Sequence, residues 1–426
     1  MCGYLTTTRM NPPNDGDSLA RVRRILWIAE GVTLAHVARP MAAYRSLDAS
    51  GWSSVFACDP RRKKYLDGFE GEYVPLASIE PQQFLRALRD GSPLYDVPTL
   101  MRYVEADLAL IRSAKPDLII GDFRLSLSVS ARLAGVPYAT IASACWSPYY
   151  QPGSWPTPEL PITRLLPLPI ARALFRLARP AAFALHGAPM NTVRRKFGLP
   201  TLGRDLRCVY TDADFVLYAD LPELYPMSSL PPSHRFVGPP LWEPSAQTPD
   251  GWASRHADRP GIYVTLGSSG SATLLPAIVD TLGDLPVEAI VATAGQIQLP
   301  TTPSHILVTE MLPGIEVSKR SDLVICNGGG LTCYQALSAG VPVIGIASNL
   351  DQFLNMQAIE RAGVGLTLRA DRFSRKEFEV AVHRGLNDPG LRRRASNARK
   401  WCESNTLSKG IRSFLQEFGD ATQERT

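Results

Sequence analysis

The sequence predicts an α/β protein made of two doubly wound parallel-sheet domains that face each other across a cleft. Three observations carry that expectation. The chain has 426 residues, too many for one ordinary hydrophobic core. Short β-rich runs alternate with helical patterns, and the alternation starts twice. Between the two runs lies "VGPPLWEPSAQTPDGWASRHADRPG", rich in proline and polar residues and without periodicity, which reads as a linker.

In the first half, "RILWIA" reads as a strand, "LAHVARPMAAYRSLDASG" as a helix and "SSVFAC" as the next strand. The unit repeats with "PDLIIG", "LSLSVSARLAG" and "PYATIA", and "ADFVLYAD" closes the half. The second half runs "GIYVTLG", a helix from Ala272, "EAIVAT", "HILVTE", "DLVIC", a helix from Gly330, "PVIGI" and a helix from Asp351. Strands of this kind, separated by crossover helices, pair in parallel. The expected divisions are 1–240, a linker over 241–260, and 261–426, with the last helix able to pack back on the first domain. Ligands of doubly wound sheets gather at the strand C-termini, so the cleft is the expected site and the linker near residue 245 its hinge.

The hydrophobic share of 45% and charged share of 20% are those of a water-soluble globular chain. A net charge of +5, with the basic residues scattered and no reader motif, gives no nucleic-acid signature. Seven cysteines without CxxC or zinc spacing fit reduced thiols and a cytoplasmic setting. "MCGYLTTTRMNPPNDGDSLARVRR" lacks the apolar core of a signal peptide. "ITRLLPLPIARALFRLARPAAFALHG" is interrupted by Arg164, Arg172, Arg176 and Arg179, so it is no spanning helix. It reads either as helices roofing an apolar pocket or as a basic amphipathic surface compatible with peripheral membrane contact. The oligomeric state is left open.

One turn carries ligand chemistry. "DLVIC" runs into Asn327-Gly328-Gly329-Gly330-Leu331-Thr332 and then an apolar helix. Glycines let a backbone approach an anion, and the first helical amides point at it; the Thr332 hydroxyl adds a donor. Asp351 and Gln352 open the following helix, with Asn355 a turn on. A carboxylate beside a carboxamide suits the hydroxyls of a sugar, although Asp351 fits a plain helix cap equally well.

With "ALSAGVPVIGI" and "DQFLN" added, this stretch resembles the donor-binding signature of the UDP-glycosyltransferase superfamily, glycosyltransferase family 1, of the bacterial natural-product type. "YVTLGSSGS", "RFVGPPLW" and "ILWIAEGVTLAHVARPMAAYRSLDASGWSSVFA" are similar to other segments of that family, in the family's order. The resemblance implies the GT-B fold, two Rossmann-like domains, with the acceptor bound by the first and a nucleotide sugar by the second. It sets Gly267, Ser268 and Ser269 beside the diphosphate together with Gly328 to Thr332. Three positions depart from the family pattern: Asn327 stands for its phosphate-contacting histidine, Gln335 for its ribose-binding glutamate, and Met311 for the aromatic residue over the base. Asn and Gln keep hydrogen-bonding atoms and a thioether can cover a base. Each loss of a charge-assisted bond then weakens a contact by ~1 kcal/mol and leaves a working site, with uridine diphosphate first among the carriers.

His36 stands at the start of the first helix with Thr33 as its expected N-cap, where the helix dipole favours a neutral imidazole. Asp122 ends a strand of the neighbouring βα unit; a helix cap or a salt bridge to Arg124 is its structural alternative. The resemblance makes His36 the catalytic base and Asp122 its partner in a metal-independent, inverting transfer. No metal-ligand cluster or other cofactor stands out in the sequence. Trp146, Tyr149, Tyr150 and Trp155 supply surface for a small, flat or greasy acceptor, or pack in the core. A transferase acting on a lipid-linked precursor, an epimerase on the same fold, and a non-catalytic regulator that binds sugar nucleotide are the competing readings.

Overall fold

The computed structural model describes residues 22–47, 51–255, 258–299 and 302–423. Most of the stretch read as leaderless, residues 1–21, lies outside them. Among these residues the first domain holds seven strands: β1 (Arg23–Ala29), β2 (Trp52–Cys58), β3 (Glu72–Pro75), β4 (Leu118–Asp122), β5 (Tyr138–Ala142), β6 (Phe215–Tyr218) and β7 (His234–Phe236). They lie in the order β3-β2-β1-β4-β5-β6-β7. The second domain holds β8 (Gly261–Thr265), β9 (Glu288–Ala292), β10 (Ile306–Thr309), β11 (Leu323–Cys326), β12 (Val343–Ala347) and β13 (Gly365–Arg369), in the order β10-β9-β8-β11-β12-β13.

The pairings are parallel. Ile25, Leu26, Trp27 and Ile28 are all fully buried. A strand covered by helices on both faces has no solvent side, and that removes the usual apolar–polar alternation. In each sheet the chain winds outward one way and then returns to wind the other way. The reversals fall between β1 and β4 and between β8 and β11. Crevices at such points, beyond the strand C-termini, receive ligands. The registers Ala29 with Asp122 and Thr265 with Cys326 bring the loops after each strand pair to one level.

Several local expectations change. The first helix is Ala35–Tyr44, and its N-cap is Leu34 with no side-chain cap bond, so Thr33 does not cap it. The sequence reading places no strand at β3 or β13, while β7 falls at the start of "RFVGPPLW", the segment similar to the family's domain-junction strand. The linker carries one helical turn, Asp250–Ala253, with Trp252 buried beneath it. The arginine-interrupted segment forms a short helix, Pro161–Leu165, and then a 29-residue helix, Leu168–Lys196, with Pro180 and Pro189 inside. No helix of the described residues is long and apolar enough to cross a membrane. The six described cysteines are free.

The chain crosses between domains twice. The helix Pro389–Ser404 packs on Gly330–Ala339 in the second domain. The final helix, Leu407–Gln423, returns to the first: Ile411, Phe414, Leu415 and Phe418 join the core around Ile25, Trp27 and Phe56. The two crossings touch backbone to backbone. A Cβ on Gly238, whose φ is +92°, would lie 2.2 Å from the Asn405 carbonyl oxygen, and one on Gly410 would lie 2.3 Å from that of Val237. Only hydrogen fits at either position. Gly410→Ala therefore forces these segments apart and costs about 1–3 kcal/mol, in the range of overpacked interiors. A lower urea midpoint with unchanged slope checks this; an unaltered midpoint refutes the close contact.

Candidate active site in the interdomain cleft

β4 delivers Asp122, fully buried, to the crevice. Phe123 follows in the left-handed region, φ +57°, a conformation costing a non-glycine residue about 1–3 kcal/mol. Its ring stacks on the imidazole of His36, with centroids 4.4 Å apart and planes 11° from parallel. His36 Nδ1 lies 2.8 Å from Asp122 Oδ1. One helical turn on, Arg39 donates from Nε to Asp122 Oδ2 at 2.7 Å and from Nη2 to Oδ1 at 2.6 Å. Its Nη1 donates to Ser143 Oγ at 2.9 Å. A carboxylate holding a bidentate guanidinium is an acceptor only, so Nδ1 carries the imidazole proton and Nε2 is left to accept one. The salt bridge to Arg124 does not form. Arg124 is instead buried between Glu30 and Asp107, with its Nη1 and Nε as donors.

Burial depresses the imidazole's proton affinity. Asp122 opposes that, and Arg39, whose Nη2 is 2.9 Å from Nδ1, adds to the depression. The ring is therefore held neutral chiefly by desolvation and secondarily by a neighbouring cation.

The second domain faces this group with two loops. After β11, Asn327 Oδ1 accepts from the Gly329 amide at 3.0 Å, and Asn327 Nδ2 donates to Ser269 Oγ at 3.2 Å. Gly328 has φ +80°, and a Cβ there would lie 2.6 Å from Met356 Cγ. The helix Gly330–Ala339 starts immediately, so the amides of residues 330–332 have no acceptor within it. From the loop after β8, Ser268 Oγ accepts from the Leu34 amide at 3.3 Å, and Gly267 takes a hydrogen bond from the Gln296 side chain. Gln335 donates from Nε2 to the Trp242 carbonyl at 2.7 Å. Asn349, not Asp351, caps the next helix, in a capping box with Gln352. The Gln352 carbonyl is already taken by the amide and hydroxyl of Ser348. Asp351 is free of capping duty and accepts from Trp146 Nε1 at 2.8 Å.

A cavity of about 380 Å³ spans both domains and is lined by His36, Arg39, Gly267, Ser268, Ser269, Met311, Asn327, Gly329, Gly330, Thr332, Gln335, Asp351 and Gln352. Gly328 lies just beneath, fixing the turn. On the first-domain side the cavity widens into an apolar chamber walled by Phe84, Leu88, Phe123, Trp146, Phe183 and Tyr210. Of the aromatic residues proposed for acceptor contact, Trp146 lines the chamber. Tyr149 and Tyr150 do not. Tyr149 is exposed against His234, and Tyr150 is buried against Tyr225 with Arg361 on its hydroxyl. Trp155 packs behind Trp146 and Phe183.

Sequence reasoning missed Arg39, Phe123 and Asp220. Asp220 lines the cavity, takes hydrogen bonds from Tyr334 Oη and the Ala144 amide, and is pushed up to about 6 by burial. For Arg39 a signal existed: three residues after His36 on a helix shares its face. Among the described residues, no three His, Cys, Asp or Glu side chains converge to hold a metal ion.

Solved structures share this architecture throughout. The chain is similar to the glycotransferase of kitacinnamycin at TM-score 0.69 and 19% identity, over 93% of this chain and 99% of that one. It is similar to the spinosyn rhamnosyltransferase SpnG complexed with thymidine diphosphate at TM-score 0.65 and 18% identity, over 92% and 100%. The fold is that of the GT-B glycosyltransferases. Sequence takes the assignment further. Residues 276–412 match the erythromycin biosynthesis protein CIII-like C-terminal domain. The PGL/p-HBAD biosynthesis rhamnosyltransferase of Mycobacterium bovis (strain BCG / Pasteur 1173P2) is 48% identical over 377 residues, 88% of this chain and 84% of that protein. The chain belongs to the UDP-glycosyltransferase superfamily, glycosyltransferase family 1, and is a glycosyltransferase.

The electrostatics of the cleft give a direct test. In an NMR titration the His36 imidazole should protonate below the ~6.5 of a free histidine. Because the folded state resists this proton, its stability contribution is full above the unfolded pKa and declines as pH falls through it. Arg39→Gln removes the adjacent cation and moves the midpoint upward. A downward move would refute the assigned role of Arg39.

Proposed function

We propose that the chain transfers a hexose, with inversion, from a pyrimidine nucleoside diphosphate sugar to a hydroxyl of a hydrophobic acceptor, with His36 as the base. The observation that carries this reading is His36, held by the buried Asp122 at 2.8 Å, lining one cavity with the amide-lined turn at Gly329 to Thr332. The acceptor hydroxyl gives its proton to His36 Nε2 as its oxygen bonds the anomeric carbon. The bond from that carbon to the diphosphate breaks on the opposite face and the electron pair leaves with the phosphate. Asp122 holds the ring by Nδ1 and balances the imidazolium. The amides of residues 330–332, with Thr332 and Ser269, meet the growing negative charge of the leaving group. Neutral donors carry this load in our reading, with no metal ion or cofactor called on.

The apolar chamber supports an aromatic or lipid-bearing acceptor. So does the name of the mycobacterial relative, which places that protein in PGL/p-HBAD biosynthesis; transfer in glycolipid assembly is the reading that joins the two. The same name supports a deoxyhexose such as rhamnose as the sugar, and this sets thymidine diphosphate beside the uridine diphosphate expected from the family pattern. Met311 lies against the nucleobase in this reading, and Gln335 and Asp351 meet the ribose and the sugar. A thermal-shift comparison of the two diphosphates decides the carrier. The preferred one raises the melting temperature at a lower concentration, and no response to either sinks the donor assignment.

His36→Ala should lower kcat by ~10²-fold or more, with the donor's thermal shift retained. Asp122→Asn should lower it comparably, because the ring loses its fixed tautomer. Unchanged turnover in either variant, or a product that keeps the donor's anomeric configuration, overturns the mechanism.

A further inference from the structure

The long helix that walls the acceptor chamber has a second face that nothing among the described residues covers. Ile170, Leu174, Leu177, Ala181 and Leu185 follow one another at spacings of four, three, four and four residues, a single helical stripe. All five are exposed, Leu177 by 76%, and Leu165 in the preceding short helix by 82%. Of the eleven large exposed hydrophobic residues among the described ones, five lie between 165 and 185. Such concentration marks a contact surface; scattered exposed leucines would not.

Charge on this segment is equally one-sided. From residue 160 to 204 there are eight Arg or Lys residues and no Asp or Glu, although the basic residues look scattered when counted along the whole chain. Arg172 and Arg176, both exposed, flank the stripe, and Arg195, Lys196 and Arg204 lie exposed beyond its end. Arg164 is paired with Glu159 at the border. An apolar stripe beside uncompensated cations matches a surface that is anionic at its plane and apolar just beneath it.

The stripe also adjoins the chamber. Ala182 and His186 line the cavity, while Ala181 and Leu185, the residues just before them, face outward. We propose that this face, Leu165 through Leu185 with Arg172 and Arg176, docks the protein on an anionic lipid bilayer. The chamber mouth then sits at the bilayer surface, where a lipid-bearing acceptor is concentrated. Docking itself is independent of the transfer reading; only the delivery of the acceptor rests on it.

The test is co-sedimentation of the full chain with vesicles of phosphatidylcholine alone and of phosphatidylcholine with equal phosphatidylglycerol. Binding to the mixed vesicles, weakened by salt and weak on neutral ones, is the expected result. At about 1 kcal/mol per surface charge, Arg172→Gln and Arg176→Gln should each weaken binding roughly fivefold. Leu174→Asp with Leu177→Asp should abolish it and leave transfer to a detergent-soluble acceptor intact, which shows that the variant folds. Equal binding to both vesicle types, no binding at low salt, or binding unaffected by the leucine changes overturns the proposal. So does a dimer in sedimentation velocity that the leucine changes dissolve, since the face would then belong to a second copy. Loss of transfer in the His36 variant with vesicle binding preserved separates the two claims.

Discussion

The cleft is organised by one buried charge. Asp122 lies at the end of β4 with no access to water, and a carboxylate there is tolerable only if its oxygens are hydrogen-bonded and its charge is opposed. Arg39 supplies two donors and the opposing charge, and His36 supplies a third donor. Both partners come from a single helix, one turn apart, so satisfying the carboxylate also fixes the rotation of that helix over the sheet. The stacking of Phe123 on His36 completes the constraint. The left-handed backbone at Phe123 is the local cost of turning the chain sharply enough to put that ring there.

How much of this was legible in the sequence depends on whether a feature is local. The βα alternation is local, because a strand covered on both faces must read as a short continuous apolar run, and β1, β4, β8 and β11 do. β3 escapes for the opposite reason. It is an edge strand of four residues with exposed ends, and carries too little apolar signal to stand out. His36, Asp122 and the glycine turn sit at strand ends in recognisable patterns. The Trp146–Asp351 bond spans 205 residues and two domains, so spacing cannot reveal it. Tyr149 and Tyr150 show the converse error: aromatic content marks a segment that buries surface, but which neighbour it buries against is a tertiary matter.

Asn327 illustrates how a side chain that cannot ionise still organises a glycine turn. Its carboxamide is both acceptor and donor, and both are used: the oxygen closes the glycine turn on the Gly329 amide while the nitrogen holds the serine loop through Ser269. A carboxylate could do only the first. The two loops that face the cleft from the second domain are therefore tied to one another through this residue. That rigidity is what an amide-lined pocket requires, since donors aimed in advance need no reorganisation when charge arrives.

The same logic extends to the relation between domains. Side chains from the first domain bond directly to the second in several places: Trp146 to Asp351, Tyr225 to Asn355, the Tyr334 hydroxyl to Asp220, and the Leu34 amide to Ser268. All of these lie around the cavity or just beneath it, so any opening that admits a ligand must break polar contacts belonging to the site. The chain's two crossings pass each other at Gly238 and Gly410 with backbone in contact, which fixes one edge of the interface; away from it, Thr163 donates to Asp371, and Arg369 and Gln357 donate to the Thr157 and Ser154 carbonyls. Each half of the site is tied within its own domain, His36 and Arg39 to Asp122 on one side and Asn327 to Gly329 and Ser269 on the other, and the polar bonds across the cleft set the distance between the halves.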